Sequence, residues 1–202
     1  MASARYRSLE LNTARLVKRF LPKKLTGPFS NRQHDLARGF RLLAHAEIEA
    51  YLEDRSGEVA LTAVRQFMAD RKPRPVVWSL VSFQLVQEQL TDNHLKNHYG
   101  GTLDRLEDVV TKAHNSYKYM LLHNHGIRET NVLKMLLPIG FARTEIDTTW
   151  LSTMDSFGTN RGETAHTSYK PTQLVDPATE KSTVDEILKG LAVLDPVFSR
   201  LR

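Results

Sequence analysis

An arginine and a histidine lie five positions apart in the segment Asn160-Arg161-Gly162-Glu163-Thr164-Ala165-His166. Arginine is always charged and offers planar, bidentate donors to phosphate oxygens, and histidine is the side chain whose ordinary pKa lies closest to neutrality. These two residue types supply what metal-independent RNA cleavage requires, a cation for the phosphate and a group that transfers protons. The segment therefore predicts a phosphate-directed site at Arg161 and His166.

The spacing of the two residues leaves a second interpretation open. Five residues of a regular helix turn through about 500°, so the two side chains would lie about 140° apart around the axis. Glycine is less favourable than alanine inside a helix by about 1 kcal/mol, and Gly162 therefore predicts an irregular turn or a bend that brings them together. This spacing is common by chance, so on spacing alone the favoured interpretation is that Arg161 is a surface cation and His166 a half-buried helix residue.

The composition is that of an ordinary globular chain. Its 202 residues are 41% hydrophobic and 25% charged, which predicts a single domain over residues 1–202. A net charge of +5 permits a polyanionic partner. The absence of cysteine excludes disulfides, thiol nucleophiles and cysteine-ligated zinc. No apolar run reaches the roughly 18 residues of a membrane span, and we expect a cytoplasmic protein without a membrane partner.

Basic residues crowd the first 24 positions, interspersed with leucines, and predict a basic amphipathic helical arm closed by Pro22. Three interpretations remain open for this arm. It packs its leucines on the body and solvates its charges, or it contacts RNA or a second subunit, and a role at a membrane surface is the weakest of the three. The candidate RNA-binding residues are Arg15, Lys18, Arg19, Lys23 and Lys24.

The remainder of the chain carries helical periodicity, and nothing alternates with the period of two that a strand requires. Ser30-Asn31 predicts a helix start, and Ser56-Gly57 predicts a break before a second helical face that is ended by the Lys72-Pro73-Arg74-Pro75 loop. Further helices are predicted over 77–90, from a Thr102 cap up to Gly126, over 132–137 before a Pro138-Ile139-Gly140 turn, over 146–157, and over 184–194 before Pro196 within a C-terminal helical segment 178–202. The fold class predicted is all-α.

With its Leu-Pro-Ile-Gly turn, the motif from Ser156 to His166 and the helical segment 36–53, the chain resembles the HEPN superfamily (higher eukaryotes and prokaryotes nucleotide-binding), specifically the RiboL-PSP-HEPN type. The resemblance spans about residues 30–170. It implies an HEPN-like helical bundle, to which the N-terminal basic helix is an addition, with Arg161 and His166 as catalytic residues and no metal or other cofactor. It also implies a dimer whose two motifs meet across a cleft. Many similar proteins are toxins or effectors in prokaryotic defence, so an antitoxin or companion defence protein is an expected partner.

The chemistry of such a site follows from RNA itself, whose 2′-hydroxyl is the nucleophile. Cleavage would give a 2′,3′-cyclic phosphate and a 5′-hydroxyl end. One histidine cannot act as base and acid in the same step, which favours a homodimer that supplies a second His166. Two alternatives remain: an inactive RNA- or nucleotide-binding subunit of the same fold, for instance in a defence complex, and a structural helical dimer with a coincidental motif.

Three neighbours are candidate supporting residues. Asn160 has an amide that can donate to phosphate or sugar, or can cap a turn, and Glu163 can orient a motif side chain or remain solvated. Glu49 is a candidate buried partner of the motif. Gly162 stands where many similar motifs have a polar residue. Tyr169 lies three positions after the histidine, rather than the two of a subgroup that is modified by nucleotidylation, so that modification is not expected here.

Two histidine groups have spacings that metal ligands also use. His45, Glu49 and Glu53 follow one another at one-turn intervals, and His94 and His98 are four positions apart. Neither group has a convincing further ligand in the sequence. We therefore interpret His45 as a core histidine and the others as loop or surface residues, and expect no metal.

Overall fold

The architecture is a bundle of α-helices around one long central helix. A computed structural model describes residues 2–87, 106–166 and 174–201, with the backbone alone at 85–87 and 163–166. Within these residues no strand occurs, and the all-α prediction is confirmed. The helices are α1 (Ala4–Phe20), α2 (Asn31–Asp70), α3 (Pro75–Gln87), α4 (Leu106–Leu122), α5 (Glu129–Leu136), α6 (Thr148–His166) and α7 (Pro177–Arg200), and two 3-10 turns cover Leu137–Ile139 and Arg143–Glu145.

Helix α1 is the predicted basic amphipathic helix. The Ser3 side chain caps it by accepting a hydrogen bond from the Tyr6 amide, and the helix ends at Phe20, shortly before Pro22. Tyr6 and Leu9 are buried, so part of its apolar face packs on the body, against α2 and α7. The basic residues of its second half remain exposed.

Helix α2 runs unbroken for 40 residues, so the predicted break at Ser56-Gly57 is wrong. Ser56 is fully buried, and a Cβ on Gly57 would stand 3.6 Å from Leu121 in ordinary contact. Leu52 and Val59, on either side of this pair, are also fully buried. The helix therefore buries a continuous apolar face. The free energy gained by this burial exceeds the roughly 1 kcal/mol cost of an internal glycine.

The next helices are close to their predicted positions, with one difference in this part of the chain. Helix α4 ends at Leu122 and does not reach Gly126, whose φ of +136° has no place in a helix. Gly140 closes the predicted turn with φ +96°. The predicted cap at Thr102 and the predicted end of the preceding helix near residue 90 lie outside the described residues.

The motif-bearing helix α6 continues as a regular α-helix through Gly162 to His166, so the predicted bend is wrong. A Cβ on Gly162 would meet nothing within 4 Å, and the glycine therefore has no close neighbour that requires it. Helix α7 likewise passes through Pro196, where the sequence predicted an end. Asp195 and Phe198 beside this proline are buried, and their packing holds the helix together there. No helix in the described ranges is long and apolar enough to cross a membrane.

Candidate active site

The motif lies where α6 crosses α2, and two contacts fix the register of the two helices. The Arg41 guanidinium donates a hydrogen bond to the backbone oxygen of Asn160 at 3.3 Å. One turn further along α2, the His45 ring stacks on the Phe157 ring with centroids 6.2 Å apart. Arg161 is four positions after Phe157 and therefore lies on the same face of α6, directed at α2.

His45 is the buried polar group beneath this crossing. The residue is 1% exposed, and its Nδ1 lies 3.5 Å from a carboxylate oxygen of Glu49 without forming a hydrogen bond. Burial, and then the positive charge of Arg161, lower the pKa of His45 from 6.5 to about 4. The imidazole is therefore neutral near pH 7, and the charge of Arg161 is close enough to act on it.

Glu49 connects this histidine to the loop that follows α4. Its second carboxylate oxygen accepts hydrogen bonds from the Gly126 amide and from the Asn124 side chain. The same Asn124 amide also donates to Glu53 at 2.9 Å, and burial raises the pKa of that carboxyl. These contacts fix the position of the loop against α2.

The loop also contacts α6 just before the motif. Arg128 pairs with Asp155 at 3.1 Å. A Cβ at Gly158 would stand 3.0 Å from the Arg128 side chain and 3.3 Å from its backbone nitrogen. The glycine therefore permits a close approach of loop and helix, and Arg161 is one turn beyond it. The candidate site is bounded by α2, α6 and this loop.

Sequence reasoning did not identify one ion pair of this region. Arg41 donates to both carboxylate oxygens of Glu180, at 2.9 and 2.6 Å, and the two residues are 8% and 5% exposed. Through Arg41 this pair joins α7 to α2 and to the Asn160 backbone of α6. No signal in the sequence joins two residues 139 positions apart, because only the packing of the bundle brings them together.

The predicted site residues fall into two groups. Glu49 and Asn160 lie at the α2–α6 crossing, with half-buried Arg161, although the role found for Asn160 is that of a backbone acceptor. Glu163 and His166 are on the last turn of α6, but their side chains lie outside what the structure describes. Because the helix is regular, position 166 lies about 140° around the axis from position 161.

A family model, RiboL-PSP-HEPN, matches residues 9–197 of this chain. The chain belongs to the RiboL-PSP-HEPN family. The match is wider than the 30–170 span of the resemblance and takes in most of α1 and α7. No curated protein and no solved structure matches the chain. HEPN domains act on RNA, so membership in the family indicates a nuclease or other RNA-related role.

In this RiboL-PSP-HEPN protein the candidate RNA-binding cations and the motif share one end of the bundle. The Phe20 ring at the end of α1 lies 3.1 Å from where a Cβ of Gly39 would stand, half a turn before the Arg41 contact with Asn160. The C-terminal ends of α1 and α6 therefore both lie near the start of α2, on faces of that helix about 200° apart. The exposed cations at this end of α1 and just after it are Arg15, Lys18, Arg19, Lys23 and Lys24.

The opposite part of α2 carries acidic side chains. A groove of about 540 Å³ between α2 and α4 is lined by Glu53, Asp54 and Glu58. Arg5 from α1 neutralises part of this charge by pairing with Asp54 at 2.6 Å and Glu58 at 2.9 Å. Lys118 also lines this groove, and further exposed cations, Arg65, Arg71 and Lys72, lie at the far end of α2.

The structure describes only one of the two histidine groups whose spacing metal ligands also use. Across the described ranges, no group of three potential metal-binding side chains converges. Glu49 and Glu53 instead accept hydrogen bonds from the loop after α4. His94 and His98 lie outside the described residues.

Proposed function

We propose that this protein is a metal-independent endoribonuclease that cleaves single-stranded RNA, with Arg161 and His166 as catalytic residues. The observation that carries the proposal is the placement of Arg161. It lies half-buried where α6 packs on α2, at the end of the bundle that carries the exposed cations of α1, on the same unbroken helix as His166. Family membership supports the RNA-related role.

Arginine and histidine supply every protein group that the reaction needs. A base removes the proton of the RNA 2′-hydroxyl, whose oxygen attacks the adjacent phosphorus, and an acid protonates the departing 5′-oxygen. His166 supplies the proton transfer, and Arg161 binds the non-bridging oxygens, where negative charge accumulates in the transition state. The products are a 2′,3′-cyclic phosphate and a 5′-hydroxyl.

The straight motif helix supports a site built from two subunits. Positions 161 and 166 diverge by about 140° on α6, which makes it difficult for one helix to direct both residues at one phosphate. A base and an acid are also needed in the same step. A two-fold homodimer satisfies both requirements, because it brings the His166 of a second copy to the site.

Cleavage of single-stranded RNA in the presence of EDTA tests the activity. We expect the wild type to cleave with cyclic phosphate ends, and His166→Ala and Arg161→Ala to lose at least about 10²-fold in rate. His123→Ala is the matched control, since His123 is exposed at the end of α4 and stacks on Tyr119. Metal-dependent cleavage, or cleavage that H166A leaves undiminished, would contradict the proposal. RNA binding without cleavage would favour the inactive binding subunit.

Mixed dimers test the shared site. A heterodimer of one wild-type subunit and one H166A subunit, isolated by two different tags, should be nearly inactive if both histidines serve one site. Half of the wild-type activity would instead show that each site uses a single His166. Light scattering on the same samples establishes whether the protein is dimeric.

The proposal extends to a toxin or effector in prokaryotic defence, held in check by an antitoxin or companion protein. Induced expression of the wild type should then arrest bacterial growth and degrade cellular RNA, whereas H166A at equal abundance should do neither. Equal growth with both proteins, when the purified wild type cleaves RNA, would contradict a toxin role.

A further inference from the structure

Arg128 is an exposed cation on the motif helix α6 and has no role in the cleavage steps described above. It directly precedes α5, and its side chain is 56% exposed. Its guanidinium donates hydrogen bonds to both carboxylate oxygens of Asp155, from Nε at 3.1 Å and from Nη2 at 3.5 Å. The stem of the side chain also packs on α6, since its Cγ lies 3.0 Å from where a Cβ of Gly158 would stand. These contacts hold the cation at the surface of α6.

The face of α6 to which Arg128 is bound is the face that carries position 166. Asp155 and His166 are eleven residues apart, and eleven residues of a regular helix turn through about 1100°, which is about 20° more than three full turns. Arg161 lies about 140° around the axis from position 166. Within one subunit, Arg128 therefore shares a face of α6 with position 166, and Arg161 does not.

The guanidinium of Arg128 retains donors for a ligand. It has five N–H groups, of which Asp155 accepts from two, and no described residue supplies an acceptor for the other three. The hydrogen bond from Arg128 lowers the pKa of Asp155, so the carboxylate stays ionised and holds the guanidinium in one orientation. The adjacent carboxylate of Glu129 is paired with Arg143. An arginine that is held in one orientation and has spare donors is suited to bidentate binding of a phosphate.

We propose that Arg128 binds a backbone phosphate of the RNA that flanks the phosphate cleaved at His166. The inference rests on the proposed role of His166 in cleavage. Eleven residues of helix extend over about 16 Å, which corresponds to about five nucleotides of a stacked strand and to fewer of an extended one. The bound strand runs along α6 from position 166 to Arg128 of the same subunit, whichever subunit supplies Arg161. RNA with several nucleotides on this side of the cleaved bond is therefore the preferred substrate.

RNA binding tests the inference without reference to cleavage. Fluorescence anisotropy measures the Kd of the H166A protein for a labelled single-stranded RNA of about 12 nucleotides over a range of salt concentrations. We expect Arg128→Ala in this background to raise Kd about 5-fold, and to reduce the slope of log K against log salt concentration by about 0.7. Arg128→Lys keeps the charge and should restore most of the slope.

Arg74 provides the matched control for this measurement. It forms the same kind of exposed pair, donating to both carboxylate oxygens of Asp70 at 3.3 and 2.8 Å, but it lies directly before α3. Arg74→Ala therefore removes a comparable ion pair and should leave Kd and the salt slope unchanged. An unchanged Kd and slope in R128A, or an equal change in R74A, would overturn the proposal.

The length of the substrate gives the second test. A trinucleotide is too short to reach from position 166 to Arg128, so R128A should cleave it with the kcat/KM of the wild type. For an RNA of about 12 nucleotides, R128A should raise KM about 5-fold, with kcat changing less than KM. An equal loss of kcat/KM on both substrates would show that the substitution distorts the cleavage site, and would overturn a role in binding the flanking phosphate.

The two tests separate this inference from the proposed function. If the wild type does not cleave RNA, the proposed function fails, and anisotropy still decides whether Arg128 binds RNA. If the wild type cleaves and R128A matches R74A in both assays, this inference alone fails. Both arginines belong to exposed ion pairs, so we expect both variants to fold, which circular dichroism checks.

Discussion

The Arg41 guanidinium donates hydrogen bonds to both carboxylate oxygens of Glu180 and to the backbone oxygen of Asn160. One buried cation thus joins α2, α6 and α7 directly beside the motif. Ion pairs at the surface of a protein contribute little to stability, but removal of one partner from a buried pair leaves an uncompensated charge. The motif end of α6 therefore depends on Glu180, a residue that has no place in the proposed chemistry.

Removal of this carboxylate should destabilise the fold strongly. We expect Glu180→Ala to lower the free energy of unfolding by about 3–5 kcal/mol, measured by urea denaturation. The neighbouring Lys181→Ala is the control, because Lys181 pairs with Asp185 on the surface, and it should cost less than about 1 kcal/mol. Similar decreases in the free energy of unfolding of the two variants would show that the buried ion pair contributes no more to stability than the surface pair does.

Gly162 offers a test of the straight motif helix. Its Cβ position is open, so Gly162→Ala should stabilise the protein by up to about 1 kcal/mol and leave RNA cleavage intact. Gly190→Ala is the contrasting variant, since its Cβ would stand 2.1 Å from the Trp150 ring, and we expect it to destabilise. Thermal unfolding and cleavage rates measure both. Loss of cleavage in a stable G162A protein would mean that the active motif needs a bend.

Acid should weaken the fold through His45. Its pKa is 6.5 in the unfolded chain and about 4 in the folded protein, so as the pH falls the unfolded state takes up the proton first. The stability is complete above pH 6.5, declines between 6.5 and 4, and reaches its lower limit below about pH 4. The full difference corresponds to about 3 kcal/mol.

Urea unfolding of wild type and His45→Gln over this pH range isolates that contribution, because glutamine does not titrate. We expect the stability of the wild type relative to H45Q to fall with decreasing pH. A difference between the two proteins that stays constant from about pH 7 to pH 4 would show that His45 titrates normally.

The basic end of α1 should contribute electrostatically to RNA binding. With H166A as the background to prevent cleavage, Lys23→Ala and Lys24→Ala should weaken binding. Each should also reduce the slope of log K against log salt concentration by about 0.7 for every phosphate that the variant no longer neutralises. Arg65→Ala is the matched control, an exposed cation about 36 Å along α2 from Arg41. If R65A changes the slope as much as the lysine variants do, binding is not confined to the motif end.

Periodicity in the sequence predicted where most helices lie, but local signals failed at three positions. Ser56-Gly57, Gly162 and Pro196 all predicted interruptions, and all three lie inside regular helices. At Ser56 and Pro196 the neighbouring side chains are buried, and tertiary packing outweighs the local preference. At Gly162 the local signal itself was overestimated, since a glycine lowers the stability of a helix but does not force it to bend.

The candidate site was predictable to the extent that its residues carry a local pattern. The spacing of Arg161 and His166 is visible in the chain, and Glu49 was noticed because of its distance from His45 along a helix. The contact of Arg41 with Glu180 and the effect of Arg161 on His45 were not predictable. Both depend on how α2, α6 and α7 pack, and no short pattern encodes that arrangement.

Helix α2 contacts each of the other described helices, and this has a consequence for how the protein denatures. No part of the described bundle can detach without exposing some of the apolar face of α2. Heat should therefore dismantle the candidate site and the core in one cooperative step, with no partly folded form that retains the site. The amide protons of α2 should exchange with solvent only through global unfolding, and the temperature at which catalysis is lost should equal the melting temperature of the whole chain.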